Sequence, residues 1–376
     1  MSRFAAEIDL DAISANVARL DAASGDAAVM AVVKADGYGH GIVPSARAAI
    51  AGGATWLGVA FAEEALALRA AGVDVPVLAW LLAESDDLEP LVRADVDVSV
   101  SAIWALDHAI AAAERAGRPA HVHLKVDTGL GRAGATRADW PDLVTAAAKA
   151  VADGTVEVTG IWSHLAYADA PTHPTIAAQV AAYDEALDVA DRAGVRPRVR
   201  HLANSAATLA LPATHYDVVR PGIAVYGLSP GPAVGATADL GLRPAMTLRA
   251  EVALVKRVPA GQGVSYAHRY TTQRETTLAL VPLGYADGVP RHATNVGPLS
   301  IAGRRYQISG TVCMDQFVVD VGDDAVEVGD AAVLFGPGDD GEPTADDWAA
   351  AVGTINYEIV TRIGSRVPRT YVGGAS

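Results

Sequence analysis

Between about residues 27 and 222, short runs rich in β-branched residues alternate with longer Ala-rich stretches of helical period. The runs are AVMAVVK (28–34), TWLGVA (55–60), VPVLAWL (75–81), VDVSV (96–100), HVHLKVD (121–127), VEVTGIWSH (156–164), VRHLANS (199–205) and HYDVVRPG (215–222). Continuous apolar runs of this length suit strands buried on both faces, and their alternation with helical segments predicts a parallel α/β architecture. Eight such units predict a (β/α)8 TIM-type barrel. A Pro- and Gly-rich stretch, LSPGPAVGATADLGLRP (228–244), then reads as a linker. Beyond it the period changes. Short alternating runs separated by turns (TTLALVPLGY, GPLSIAGRRYQISG, QFVVDVGDD, AAVLFGPGDD) predict a mostly antiparallel β domain, with a short helix near ADDWAAAVG (345–353). The expected domains are a barrel over residues 1–235 and a β domain over residues 236–376.

In such barrels the active site gathers at the C-terminal strand ends. Those ends carry Lys34, Lys125 with Asp127, His164, Asn204 with Ser205, and Arg220, so the ionisable residues collect on one rim. Lys34 lies in AVVKADGYGHG (31–41), where a buried strand gives way to a glycine-rich turn. Desolvation or neighbouring cations there can lower an amine's pKa enough to make it a nucleophile, although a lysine after a strand also reads as a surface residue. Arg220 precedes Pro221, Gly222 and Ile223. The backbone after the last two strands commonly forms a phosphate site, which Gly222 lets an anion approach and to which Ser205 can add a hydroxyl; a simple Pro-Gly turn is the plainer alternative.

The charge balance narrows the partners. With 29 Lys and Arg against 44 Asp and Glu the chain carries −15, and no basic cluster exists to displace counterions, so no nucleic-acid or anionic-membrane partner is expected. A small-molecule substrate fits better. The single cysteine, Cys313, excludes an internal disulfide framework and suits a reducing compartment. MSRFAAEIDLDAI shows no basic segment followed by an apolar one, and no apolar run reaches membrane-spanning length, so a cytoplasmic location is expected.

The octapeptide K-A-D-G-Y-G-H-G, intact from Lys34 to Gly41, resembles the pyridoxal-phosphate attachment motif of alanine racemases, fold-type III pyridoxal-phosphate enzymes. The resemblance extends from AEIDLDAI near the start to INYEIVTRIGSRVPR near the end. It implies pyridoxal 5'-phosphate as cofactor, alanine as substrate, D-alanine for peptidoglycan as product, and a homodimer with sites shared between subunits. Lys34 then holds the cofactor and exchanges a proton on one face of the α-carbon. Tyr266, in GVSY, matches the catalytic tyrosine that serves the other face from the partner subunit. Arg220 matches the arginine at the pyridine nitrogen, supported by His164. A guanidinium cannot hand its proton to that nitrogen as a carboxylic acid would, which weakens the electron sink and favours reprotonation at the α-carbon. Tyr38 and Tyr357 match phosphate-side tyrosines, beside Asn204, Ser205, Gly222 and Ile223. Arg132 and the Met314 backbone match substrate-carboxylate contacts, and Lys125 matches a lysine that is often carbamylated. Tyr285, Arg291 and Asp315 match the corridor to the site. The counterparts of Tyr266 and Tyr357 narrow the pocket, so the resemblance implies a preference for a methyl side chain.

Other motifs point elsewhere and weigh less. GLGRAG (129–134) fits G-x-G-x-x-G after a strand, but an arginine within the turn and eight βα units argue against a dinucleotide site. His121 and His123 share one strand face with no evident third ligand, so core or rim histidines are expected rather than a metal site. Cys313 reads as a reactive thiol or, more commonly, a small buried hydrophobe. Rival functions are a broad-specificity racemase, a decarboxylase of the same architecture, which would place a carboxylate against the ring nitrogen, and a cofactor-holding protein, which would lack the β domain.

Overall fold

The computed structural model describes residues 3–374. It divides into two compact units, one of Ile13–Gly37 and Ile42–Leu242, the other of the described residues up to Ala12, Tyr38–Gly41 and those from Arg243 onward. The first strand, β1 (Phe4–Asp9), belongs to the second unit. The eight expected barrel strands are all present as β2 (Ala28–Val32), β3 (Trp56–Val59), β4 (Val77–Ala79), β5 (Asp97–Val100), β6 (Ala120–Lys125), β7 (Val156–Trp162), β8 (Val199–His201) and β9 (Val218–Val219). They form one parallel sheet in the order β8-β7-β6-β5-β4-β3-β2-β9. A bridge between Asn204 and Arg220 and the bond from the Arg220 amide to the Ala203 carbonyl bring its two ends together, so the barrel is nearly closed.

Most of these strands bury both faces, as the alternation with helices requires, and Val29, Leu57, Val77, Leu78, Val98, Val122 and Leu124 are fully enclosed. Met30, Leu78 and Val218 pack inside with Trp56 and Trp80 around them. Two glycines make room for larger neighbours. A Cβ on Gly58 would lie 2.5 Å from the Trp80 ring, and one on Gly160 would lie 2.2 Å from His123 Nδ1. Several strands are shorter than their sequence runs. In HYDVVRPG only Val218–Val219 pairs as a strand, since Pro221 has no amide to donate and Arg220 turns its own to Ala203.

The second unit holds a six-stranded sheet, a three-stranded sheet and a hairpin, built from β10 (Met246–Glu251), β11 (Leu254–Val258), β12 (Gly263–Val264), β13 (Tyr270–Thr271), β14 (Thr276–Val281), β15 (Pro298–Ile301), β16 (Arg304–Gln307), β17 (Phe317–Gly322), β18 (Ala331–Phe335) and β19 (Arg369–Val372). The large sheet runs β16-β15-β18-β10-β1-β19, antiparallel except for the β1/β19 pair. The domain boundaries read from the sequence therefore need correction: the N-terminal strand lies in the β unit, and the break falls at Leu242/Arg243. Long-range pairing with Met246–Glu251 and Arg369–Val372 places FAAEID there. The expected short helix is Ala345–Val352, capped by Thr344, whose hydroxyl accepts the Asp347 amide.

Candidate active site

Lys34 emerges from β2 into an unusual turn. Ala35, Asp36, Gly37 and Tyr38 have φ of 53°, 52°, 62° and 53°, four successive left-handed residues of which only one is glycine. L-residues pay roughly 1–2 kcal/mol each for that conformation, so other bonds must impose it. The Glu64 carboxylate accepts the Ala35 amide at 2.6 Å while also accepting those of Ala60 and Phe61. Asp36 accepts the Ile42 amide at 2.8 Å, and the Gly37 amide bonds the Val33 carbonyl at 2.9 Å. The sequence-level glycine-rich turn is thus a fixed left-handed one.

Around Lys34 the rim of the barrel unit carries Lys125, Arg132, His164 and Arg220. Lys34 Nζ lies 5.8 Å from the Trp80 ring, Lys125 Nζ 4.2 Å from the Trp162 ring, and the Arg220 guanidinium 4.8 Å from the same ring. Burial lowers the Lys34 amine below the ordinary lysine range, and the Arg132 charge lowers it further. Burial followed by the charges of Arg220 and Arg132 brings Lys125 down to about 8. Burial and the same cations hold His164 well below its usual range, so it is neutral. Arg220 is brought to about 10 by burial and stays charged at neutral pH. Among the described residues no carboxylate forms an ion pair with Lys34, Lys125, Arg132 or Arg220. Four basic side chains with no direct carboxylate ion pair, on one rim of an acidic chain, call for an anionic ligand.

The sequence-nominated anion cradle is also assembled in this unit. Asn204 caps the helix Ser205–Ala210, its Oδ1 accepting the Ala207 amide at 3.1 Å. The buried Ser205 hydroxyl accepts the Gly222 amide at 2.7 Å and the Ala224 amide at 3.3 Å, which sets Gly222 and Ile223 beside the hydroxyl. The Ser205 hydroxyl, whose own proton neither of these bonds uses, beside cations with no direct carboxylate ion pair and a reactive amine, suits a phosphorylated cofactor with a reactive carbonyl, so the residues fit pyridoxal phosphate. The GLGRAG loop is occupied internally: the Asp127 carboxylate accepts the amides of Gly129, Leu130 and Gly131, leaving none of the three for a dinucleotide.

The second unit holds the other nominated residues. Tyr38 and Tyr357 stand with ring centroids 6.5 Å apart, and burial pushes the Tyr38 phenol far above its ordinary value. Tyr266 is 69% exposed, and among the described residues its hydroxyl has no hydrogen-bond partner. The backbone around it is strained, with Ser265, Ala267 and His268 at φ of 61°, 60° and 44°. Bonds from the Ser265 hydroxyl to the Thr311 carbonyl (2.6 Å) and from the Thr311 hydroxyl to the Tyr266 carbonyl (2.8 Å) hold the loop, with half-buried Cys313 Sγ 3.2 Å from Ser265 Oγ. The same stretch carries exposed Met314 and Asp315, the latter paired with Arg366 at 2.8 Å, and the Cys313 carbonyl accepts the Tyr285 amide at 3.0 Å. Arg291 opens the 3-10 turn Arg291–Ala293 and is exposed.

Sequence reading missed part of the support. His201, in the VRHLANS run, accepts from Arg220 NH1 at 3.0 Å, closer than His164 at 3.4 Å. Glu64, Trp80 and Trp162 were missed as well. The signal for His201 was available: strand alternation turns it inward, towards the side chain of Arg220 on the adjoining strand end.

Comparison with known proteins identifies the family. The chain matches the family model described as alanine racemase, N-terminal domain, over residues 8–230, and that described as alanine racemase, C-terminal domain, over residues 245–371. An alanine racemase of Frankia casuarinae is 66% identical, covering 98% of this chain and 96% of the relative. One of Salinispora arenicola is 62% identical over 97% of each. The crystal structure of alanine racemase from D-cycloserine-producing Streptomyces lavendulae superposes with a TM-score of 0.99 at 58% identity, covering 100% of this chain and 98% of that one. That from Bacillus anthracis, with bound L-Ala-P, gives 0.90 at 36% identity, covering 99% and 96%.

Proposed function

The chain belongs to the alanine racemase family, whose members are isomerases, and on that premise we propose that it interconverts L- and D-alanine with pyridoxal 5'-phosphate as cofactor. The observation that carries the reading is the rim on which Lys34, its amine lowered by burial, stands among cations without carboxylate partners. Pyridoxal phosphate, when bound, acidifies the substrate's α-hydrogen by drawing electron density into its ring. Ser205, Gly222 and Ile223, with Asn204, would hold its phosphate, and the resemblance gives Tyr38 and Tyr357 the same role. Arg220 would hold the ring nitrogen as a permanent donor that keeps its proton, with His164 neutral beside it. Arg132 and the Met314 amide hold the substrate carboxylate, and Tyr285, Arg291 and Asp315 line the approach.

Inversion needs two acid/base groups on opposite faces of the α-carbon. The Lys34 amine moves the proton on one face and the Tyr266 phenol on the other. An exposed tyrosine on a strained, hydrogen-bonded loop, its hydroxyl uncommitted among the described residues, supports its use by a partner subunit, and hence a homodimer. D-Alanine made in the cytoplasm would feed peptidoglycan. Among the described residues no helix is long and apolar enough to cross a membrane.

The test is the enantiomer composition with time of L-alanine, L-serine, L-lysine and L-arginine, each offered to the purified protein with pyridoxal phosphate. Alanine should approach an equal L/D mixture with little change in the others. Comparable conversion of serine or lysine would give a broad-specificity racemase. Loss of carbon dioxide from lysine or arginine would give a decarboxylase, and no D-product from any of them would sink the racemase reading.

A further inference from the structure

Within the barrel unit the Arg220 guanidinium is almost fully buried, yet no carboxylate among the described residues pairs with it directly. A buried charge needs a partner. Its NH1 reaches His201 Nδ1 at 3.0 Å; His201 Nε2 lies 2.8 Å from His123 Nδ1; and His123 Nε2 lies 2.8 Å from Asp97 Oδ2. A guanidinium only donates, so the direction of every bond follows from one end. Arg220 donates to His201 Nδ1, His201 donates from Nε2 to His123 Nδ1, and His123 donates from Nε2 to the Asp97 carboxylate. Both imidazoles are neutral with the proton on Nε2, and each uses both ring nitrogens.

The surroundings are shaped to this arrangement. The β6/β7 register slips between Val122 and His123, leaving Thr159 extra on β7 and setting Gly160 opposite His123, where a Cβ would lie 2.2 Å from the ring. His201 stacks on Trp162 with planes 9° apart. Arg220 NH2 is held from the other side by the carbonyls of Ser163 at 2.7 Å and Leu202 at 3.1 Å. Burial alone would raise the Asp97 carboxyl, but the His121 ring 3.6 Å away and the bond from His123 outweigh it and hold it at about 2, so it is ionised.

We propose that Asp97 and His123 are positioning residues for Arg220, fixing its guanidinium through His201 and supplying its counter-charge across two neutral imidazoles. The functional half of this rests on reading Arg220 as the residue facing the cofactor ring; the relay itself is testable without turnover. Selective 15N labelling of histidine in the pyridoxal-phosphate-loaded enzyme reads each ring's tautomer. Both His123 and His201 should be neutral and protonated at Nε2; a proton on Nδ1 of either ring, or an imidazolium at neutral pH, overturns the relay. The second measurement is the rate of cofactor release from the holoenzyme after dilution. Asp97→Asn keeps an acceptor for His123 but removes the counter-charge, and should release about threefold faster than the native enzyme. Asp97→Ala should release about tenfold faster, the size usual when a partner that orients a liganding group is lost. Native release from both variants, whether or not their unfolding midpoints fall, would reduce Asp97 to packing and overturn the proposal. Should the protein bind no pyridoxal phosphate, the functional reading falls, and the tautomers of the unloaded protein still decide the relay.

Discussion

Lys125 should take up carbon dioxide. Its amine is brought to about 8 from 10.5 by burial and by Arg220 and Arg132, so about half is neutral at pH 8 where an ordinary lysine is roughly 0.3% neutral. Attack of that neutral amine on carbon dioxide gives a carbamate and a proton, and it turns a cation surrounded by cations into their anionic partner. The stability consequence follows from proton linkage. The unfolded chain binds more protons than the folded one between pH 8 and 10.5, so stability rises with pH through that window, and below it the charged amine costs up to about 3 kcal/mol. Bicarbonate should therefore raise the unfolding midpoint of the native protein at pH 8, since it traps the folded form. Lys125→Met should remove the response, be more stable than the native protein in carbon dioxide-free buffer at pH 7, and turn over alanine more slowly. Carbon-13 NMR in labelled bicarbonate checks the adduct directly. The reasoning is refuted by a carbamate signal that persists in Lys125→Met, or by no signal together with no stability gain in that variant.

Tyr266→Phe should lower racemisation by about 10² to 10⁴-fold, the usual worth of one acid/base group, while cofactor absorbance is kept; near-native turnover would remove Tyr266 from the mechanism. A mixed dimer of Lys34→Ala and Tyr266→Ala subunits should recover one working site, because trans assembly leaves one site with both residues; an inactive heterodimer would mean each subunit uses its own tyrosine. Ala267→Gly, at φ 60°, should raise stability by about 1 kcal/mol in urea denaturation and, by loosening the Tyr266 loop, lower turnover. Gly160→Ala should cost about 1–3 kcal/mol, because its Cβ would overlap His123; an unchanged midpoint would mean the barrel interior yields there freely.

What was legible in the sequence follows from locality. Most of the eight barrel strands are short runs buried on both faces, and the rule that sites gather at their C-terminal ends brought Lys34, Lys125, His164, Ser205 and Arg220 onto one rim. FAAEID was unreadable as part of the β sheet because its partners, Met246–Glu251 and Arg369–Val372, lie more than 200 residues away along the chain and leave no local mark. The left-handed turn after Lys34 was hidden because Ala35, Asp36 and Tyr38 do not announce a positive φ; Glu64 and Asp36 impose it through backbone amides. His123 was read as a core or rim histidine, but its links to Asp97 and His201 were hidden, since an ionisable residue in a β-branched run does not show its partner on another strand.

Backbone strain gathers at the two residues that the resemblance nominates as the acid/base pair. Ten non-glycine residues among those described have positive φ, and six of them, Ala35, Asp36, Tyr38, Ser265, Ala267 and His268, lie in two loops. At roughly 1–2 kcal/mol each these loops hold a substantial share of the 5–15 kcal/mol by which a typical domain is stable. Such a cost persists only where surrounding bonds over-determine the conformation, and both loops are held in that way, one by Glu64 and Asp36, the other by Ser265 and Thr311. One loop follows Lys34 and the other carries Tyr266, the two residues proposed as the acid/base pair, and the loops also hold Asp36, Tyr38 and His268. A folded chain that needed only packing at these places could have relaxed both; a reaction that must take a proton from one face of a carbon and return it to the other needs two groups whose directions cannot drift.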